Sequence, residues 1–229
     1  MKLSIIVPVY NEEKTILDVL TRLQTINFGL DYEVIVVDDG STDKTKSILQ
    51  ERIIPSSKNI KLIFLDKNSG KGAALRRGFQ VATGDIMAVQ DADLEYQPQD
   101  IAPLVKPILE GRSRVVYGAR FLRHHQPLYK LFYTGNRLIS KLFGLIYGTP
   151  INDPWTGHKV FHRDALNNIH LTSQRFDLEI ELTAKWLRAK EKIMELPISY
   201  QGRTYQEGKK IKWTDGIKAL WAIIKYRFV

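Results

Sequence analysis

The sequence of 229 residues contains no cysteine, which excludes disulfide staples and thiolate metal sites and leaves the compartment undecided. It has no long uncharged stretch either. The longest run without Asp, Glu, Lys or Arg, Leu142 to Asn152, is too short to span a bilayer. At the N-terminus one Lys and a short apolar run continue into Asn11-Glu12-Glu13, with no small-residue cleavage pattern. A cytosolic chain without an export signal is expected. Internal repeats, low-complexity tracts and flexible linkers are missing too, so 1–229 reads as one domain. A hydrophobic content of 44% and a charged content of 26% are ordinary for a globular protein.

Acid is missing from one particular segment. Between Glu110 and Asp153 there is no Asp or Glu, yet there are seven basic residues, among them Arg120 and Arg137. The tail from Gln201 to Val229 has seven more, including Arg203, Lys209 and Lys210, against Glu207 and Asp215. These segments contribute +7 and +5 to a net charge of +9, so the remainder is −3. The basicity therefore forms two patches in the second half, of a kind that attracts nucleic acid, anionic lipid or phosphorylated substrates. His124 and His125 fall in a basic loop and read as solvated. His158, His162 and His170 show no metal-ligand spacing.

What is present in the first half is a series of strands with acidic ends. Leu3 to Val9 reads as a buried parallel strand ending in Tyr10-Asn11-Glu12. Ile16, Val19, Leu20, Leu23 and Ile26 follow at helical spacing, with Asn11 as N-cap and Glu12 and Glu13 in the first turn. Glu33 to Val37 is a second strand leading to Asp38-Asp39-Gly40, and Lys44 to Ile54 a second helix. Lys61 to Leu65 is a third strand, and Gly70-Lys71-Gly72 opens a third helix. Ile86 to Val89 is a fourth strand and runs into Asp91-Ala92-Asp93-Leu94-Glu95. This alternation predicts a doubly wound α/β sheet, whose ligands sit beyond the carboxyl ends of the strands.

Asp91 and Asp93, two apart in extended chain, can converge on one ligand while small Ala92 turns away. Paired hard oxygens at a strand end suit a Mg²⁺ or Mn²⁺ that also holds a diphosphate. The bland alternative is a polar strand end feeding a turn. Lys71, at a Gly-flanked helix start, is placed to favour an anion, or else is simply solvated.

After Glu110 the alternation weakens. A strand is expected at Arg114 to Tyr117, a helix from Leu128 to Tyr147 with a break near Gly135, and a turn-rich loop at Asp153 to Gly157. A helix at Phe176 to Leu187, a strand at Ile193 to Ile198 and a last helix from Trp213 complete the chain.

Several motifs together carry a family resemblance. Val-Pro-Val-Tyr-Asn-Glu at 7–12, Val-Asp-Asp-Gly-Ser-Thr-Asp at 37–43, Gly-Lys-Gly-Ala-Ala-Leu at 70–75 and Asp-Ala-Asp-Leu at 91–94 resemble the inverting family-2 glycosyltransferases of GT-A fold. Gly118-Ala119-Arg120, Asp153 to Gly157, Leu196-Pro197-Ile198 and the 203–209 segment resemble the dolichol- or polyprenyl-phosphate hexosyltransferases within that family.

The resemblance implies a GT-A domain with a mostly parallel sheet and a C-terminal amphipathic helix. Its nucleotide-sugar half would be 1–110 and its acceptor half 111–229. Pro8, Tyr10, Glu12, Val37 and Asp39 would line the nucleoside pocket, with Lys71, Asp91, Ala92 and Asp93 toward the diphosphate and sugar. Asp91 and Asp93 would hold the metal, joined by Glu95, where relatives can carry Gln. Arg120, Arg137, Arg203 and Lys209 would hold the acceptor phosphate, with Lys210 as a reserve. Relatives place an Arg nearer position 136, where this chain has Asn136 and then Arg137.

The implied reaction moves a hexose from GDP-mannose or UDP-glucose to dolichyl or polyprenyl phosphate, with Asp91, Asp93 and Arg120 as the catalytic set. A phosphate acceptor is already anionic near neutrality and needs no general base. A hydroxyl acceptor would need one, and Asp153 is then the candidate, its rival role being to cap the turn before Pro154. The helices at 128–147 and 213–228 mix apolar, aromatic and basic residues, the pattern of helices lying in a membrane surface. Peripheral attachment on the cytoplasmic face, or a separate anchoring protein, is therefore expected. A nucleic-acid-binding module fits the charge, but strand-end carboxylates would repel phosphate backbones. A nucleotidyltransferase, releasing pyrophosphate, is a further alternative.

Overall fold

The computed structural model describes residues 1–53, 59–123, 130–204 and 213–228. Seven strands among them form one sheet: β1 (Lys2–Val9), β2 (Asp31–Asp38), β3 (Ile60–Phe64), β4 (Ile86–Val89), β5 (Val115–Ala119), β6 (Lys159–His162) and β7 (Ile193–Pro197). Their spatial order is β3-β2-β1-β4-β6-β5-β7. The first four pair in parallel, with Pro8 opposite Val37 and Ile6 opposite Val89. β6 runs antiparallel to both neighbours, and β5 pairs with β7 in parallel.

The helices are α1 (Ile16–Thr25), α2 (Thr45–Arg52), α3 (Lys71–Val81), α4 (Ile101–Leu109), α5 (Lys130–Tyr147), α6 (Leu178–Arg188) and α7 (Trp213–Phe228). Strand alternation sorts them into two layers. Leu3, Ile5, Val7 and Val9 face α1, α2 and α4, while Ile6, Ile35, Val37 and Val89 face α3, α5, α6 and α7. Gly78 lets α3 lie close on the sheet, since a Cβ there would come within 2.4 Å of Ile6 Cγ2.

Order 3-2-1-4 reverses direction between β1 and β4, and a crevice opens at such a reversal beyond the strand ends. Glu12 follows one of these strands and Asp91 and Asp93 follow the other.

Two expectations are corrected, and two elements are added. α1 begins at Ile16, and Asn11 is not its N-cap. Asn11 has φ +50° and its Oδ1 accepts from the Thr42 backbone N–H at 2.8 Å, joining the loops after β1 and β2. α5 is continuous through Gly135, because the space beside that residue is open and nothing forces a break; 128 and 129 lie outside the described residues. α4 and β6 were not anticipated. α4 contains Pro103 and Pro107, which obscure a helical pattern, and β6 has only four residues, Lys-Val-Phe-His.

Candidate active site

The acidic residues after β1 and β4 meet through Arg203, and Asp39 lies at the end of β2. Asp39 extends the β2 ladder, its N–H donating to Val9 O at 2.8 Å. Its carboxylate accepts from the Ser69 and Gly70 backbone N–H groups, both at 2.8 Å, and so caps the start of α3. Burial raises the Asp39 carboxyl above its ordinary range, and those two N–H groups oppose the rise. The next residue, Lys71, places Nζ 2.7 Å from Asp91 Oδ1 and 3.0 Å from Glu179 Oε1. Burial works against the Lys71 charge, but the two carboxylates outweigh it and hold the ammonium protonated.

Two residues past Asp91, burial raises the Asp93 carboxyl to about 7, helped by repulsion from Asp91 and Glu95 and resisted by Arg203. Arg203 bridges residues that follow the two strands of the reversal. Its Nη1 and Nη2 each donate to one Glu12 oxygen at 3.0 Å, and Nη2 also reaches Asp93 Oδ2 at 3.2 Å. Glu95 Oε1 accepts from the Arg203 backbone N–H at 2.8 Å, and Oε2 from the Tyr200 hydroxyl at 2.8 Å. Arg203 thus draws Glu12, Asp93 and Glu95 into one cluster.

A second cluster lies beside the first. Arg120 donates from Nε and Nη2 to the two oxygens of Asp153, each at 2.8 Å, and from its backbone N–H at 3.0 Å. Its guanidinium lies 5.1 Å from the Tyr200 ring centre and 5.2 Å from that of Phe121. Asp153 is fully buried, and its N–H donates to Glu195 Oε1 at 2.8 Å. The Arg137 guanidinium rests 5.7 Å from the same Phe121 ring.

Several expected roles change on these contacts. Lys71, expected either to favour an anion or to be solvated, is held by two carboxylates of the protein itself. Asp91 was expected to hold a metal together with Asp93; one of its oxygens pairs with Lys71, and the other lies so near Gly157 that a Cβ there would fall 2.4 Å from it. Glu95 was expected as a third metal ligand, and both its oxygens are taken by Tyr200 and the Arg203 backbone. Arg120 was expected to face the acceptor and is instead forked onto Asp153, which is equally unsuited to act as a base while so paired. Val37 is packed wholly in the core with Leu75 and Phe79, and Ala92 is buried in the opposite core. Pro8 is buried within β1, and Tyr10 stands half-buried at its end. Lys209 and Lys210 lie outside the described residues.

The donor set meets one requirement of a hard divalent cation: Asp93 is a half-buried carboxylate flanked by the acidic Asp91 and Glu95. Among the described residues no three Asp, Glu or His side chains group closely enough to hold a metal alone. Part of the coordination sphere would come from diphosphate oxygens and water, as is usual for Mg²⁺.

Sequence reasoning missed Glu179, Lys159, Gln90, His158, Tyr96 and Tyr200, all close to these clusters. His158 Nε2 meets Gln90 Oε1 at 3.0 Å, and burial, then Lys71, lower its pKa to about 3, so the ring is neutral. The one available signal for Glu179 was its position between Leu178 and Ile180, in a stretch that α6 buries completely.

Three likenesses to known proteins bear on this arrangement. Residues 4–169 match the family described as Glycosyl transferase family 2. A dolichol-phosphate mannosyltransferase of Pyrococcus furiosus is 30% identical over 213 residues, which is 91% of this chain and 59% of that protein. The chain thus spans about three fifths of the length of this curated relative. Glucosyl-3-phosphoglycerate synthase of Mycobacterium tuberculosis, solved with Mn²⁺, UDP and phosphoglyceric acid, superposes with a TM-score of 0.76 at 22% identity, covering 100% of this chain and 79% of that one. The same enzyme with Mn²⁺ and UDP-glucose gives 0.74 at 20% identity, with 100% and 79% coverage. At these identities the likeness is one of fold, the GT-A arrangement.

Proposed function

The chain belongs to glycosyl transferase family 2, and from that premise we propose that it moves a hexose from a nucleotide sugar to a polyprenyl or dolichyl phosphate. The observation that supports the reading is that Arg203 joins Glu12, after β1, to Asp93, after β4, at the sheet's reversal point, with Lys71 paired to the neighbouring Asp91. The mannosyltransferase relative supports the lipid-phosphate acceptor, and the complexes of the fold neighbours support a nucleoside diphosphate with a divalent cation.

In this reading an acceptor phosphate oxygen attacks the anomeric carbon from the face opposite the diphosphate. The bond to the diphosphate oxygen breaks, and its electron pair leaves with the nucleoside diphosphate. No proton has to be removed, in keeping with an Asp153 that is buried and paired. Glu12 and Asp39 would face the nucleoside, and Asp93 would hold Mg²⁺ or Mn²⁺ with Asp91 behind it. Such an ion would neutralise charge developing on the departing diphosphate. Arg203 would hold the acceptor phosphate through its forked donors once they are released from Glu12 and Asp93.

A lipid acceptor requires access to a membrane, and α5 and α7 support it. Leu138 and Leu145 on α5 are 69% and 81% exposed, and Trp221, Ile224 and Phe228 on α7 are 62%, 55% and 80% exposed. The Tyr147 hydroxyl donates to Ile223 O at 2.9 Å and holds the two helices together. Lys141 and Lys218 stand exposed among these residues. No helix among the described residues is long and apolar enough to cross a membrane, so this surface would lie on the bilayer.

The decisive test supplies labelled GDP-mannose or UDP-glucose with polyprenyl phosphate, or with free sugar acceptors, and follows label into organic solvent. Metal-dependent formation of an acid-labile lipid product is expected. Transfer to free sugars alone would replace this reading with a hydroxyl-acceptor enzyme, and pyrophosphate release would point to a nucleotidyltransferase.

A further inference from the structure

Glu179 opens the first turn of α6 and is 2% exposed. Its Oε1 lies 3.0 Å from Lys71 Nζ and its Oε2 3.1 Å from Lys159 Nζ. Neither oxygen has a well-angled hydrogen bond, so both contacts are ion pairs. Lys159, in β6, is wholly buried, and Nζ donates to Pro154 O at 3.2 Å and Thr156 O at 2.6 Å. Asp91, Lys71, Glu179 and Lys159 therefore form a continuous chain of alternating charge running from the crevice into the core.

Such a chain is a poor device for stability alone. Desolvating a buried ion pair offsets most of its attraction, and well-packed apolar residues commonly serve as well or better. What this chain does is fix Asp91 from two directions. Lys71 holds Oδ1, and the Gly157 backbone lies against Oδ2, in a loop suspended from Lys159. Both restraints end on the Glu179 carboxylate. A rotation of Asp91 would have to break one of them.

We infer that Glu179 is a positioning residue for the donor site, acting through Lys71 to hold Asp91 in one orientation toward the nucleotide sugar. The inference rests on the donor-site reading above. In Glu179→Gln the carboxamide keeps the shape but removes the negative charge and sets an NH₂ group against one of the two ammonium groups, so the second anchor of Lys71 is weakened.

The test is a double-mutant cycle on donor affinity, measured by titration calorimetry of the whole chain with GDP- or UDP-sugar and Mn²⁺. Glu179→Gln is expected to weaken donor binding about tenfold in the native background and less than about twofold in a Lys71→Met background. If Glu179→Gln does not fold, Glu179→Gln combined with Lys159→Met removes one charge of each sign and should show the same dependence on Lys71. Equal weakening in both backgrounds, or unchanged affinity in a folded variant, overturns the inference. A native protein that binds neither nucleotide sugar overturns the donor-site reading itself, and this inference with it.

Discussion

Arg203 and Glu12 are 191 positions apart in the chain, yet the guanidinium meets both carboxylate oxygens at 3.0 Å. The same Arg203 Nη2 lies 3.2 Å from Asp93. A cation from the second half of the chain thus sits where a divalent ion on Asp93 would need the carboxylate. Arg203 and the metal should compete. Arg203→Ala is expected to bind Mn²⁺ about tenfold more tightly without nucleotide, a difference of about 1.4 kcal/mol, while transfer to lipid phosphate is lost. Electron spin resonance of free Mn²⁺ reads the first effect; unaltered Mn²⁺ affinity would refute the competition.

Asp93 has a carboxyl raised to about 7 by burial and by Asp91 and Glu95. A group whose folded pKa lies above its unfolded value of 3.8 adds stability below that value and loses it as pH rises through 7. Metal-free native protein should therefore melt lower than Asp93→Asn at pH 8, and the gap should close toward pH 4. Added Mn²⁺ should reverse the order at pH 8, because only the carboxylate binds it. Paired thermal melts in chelator and in Mn²⁺ across this range check the sign; a gap independent of pH would contradict it.

Arg120 and Asp153 form a forked pair with side chains 10% and 1% exposed. Arg120→Ala leaves a buried carboxylate without its partner, at a cost of about 3–5 kcal/mol. Arg120→Lys should recover only part of this, since an ammonium cannot reproduce two parallel donors. Denaturant titration of both variants measures the difference, and a fully stable Arg120→Ala would show that the pair matters little to the fold.

Gly157 is required by close approach. A methyl group there would meet Asp91 Oδ2 at 2.4 Å and the Tyr96 ring at 3.1 Å. Gly157→Ala is expected to displace Asp91 and introduce about 1–3 kcal/mol of strain. Donor affinity should fall at least about fivefold, the equivalent of about 1 kcal/mol. Calorimetric titration against the native protein decides it.

Trp221 and Phe228 are exposed on one stripe of α7. Replacing both with Ser should leave the melting temperature nearly unchanged, because neither side chain is in the core. Binding to anionic vesicles should weaken about tenfold or more, since burial of one large apolar side chain contributes about 1.5–3 kcal/mol. Vesicle co-sedimentation at low and high salt measures it, and the remaining binding should decline as salt screens the lysines.

Much of this protein was legible without coordinates. The alternating strands and helices of the first half, the acidic groups at their carboxyl ends and the two basic patches follow from local periodicity and composition. Such features depend on neighbours two to four positions apart, so a linear reading captures them. α4 and β6 escaped because prolines interrupt the one and shortness hides the other.

The partners of the charged residues were decided only by the tertiary structure. A sequence marks Lys71, Arg120 and Arg203 as cations. Which carboxylate each one meets depends on strand order and on loops that approach from distant parts of the chain. β6, inserted antiparallel beside β4, brings Lys159 to Glu179, and the segment before 205 brings Arg203 to Glu12. Burial then sets the charge of each group, and burial belongs to the packed three-dimensional body, not to any stretch of chain.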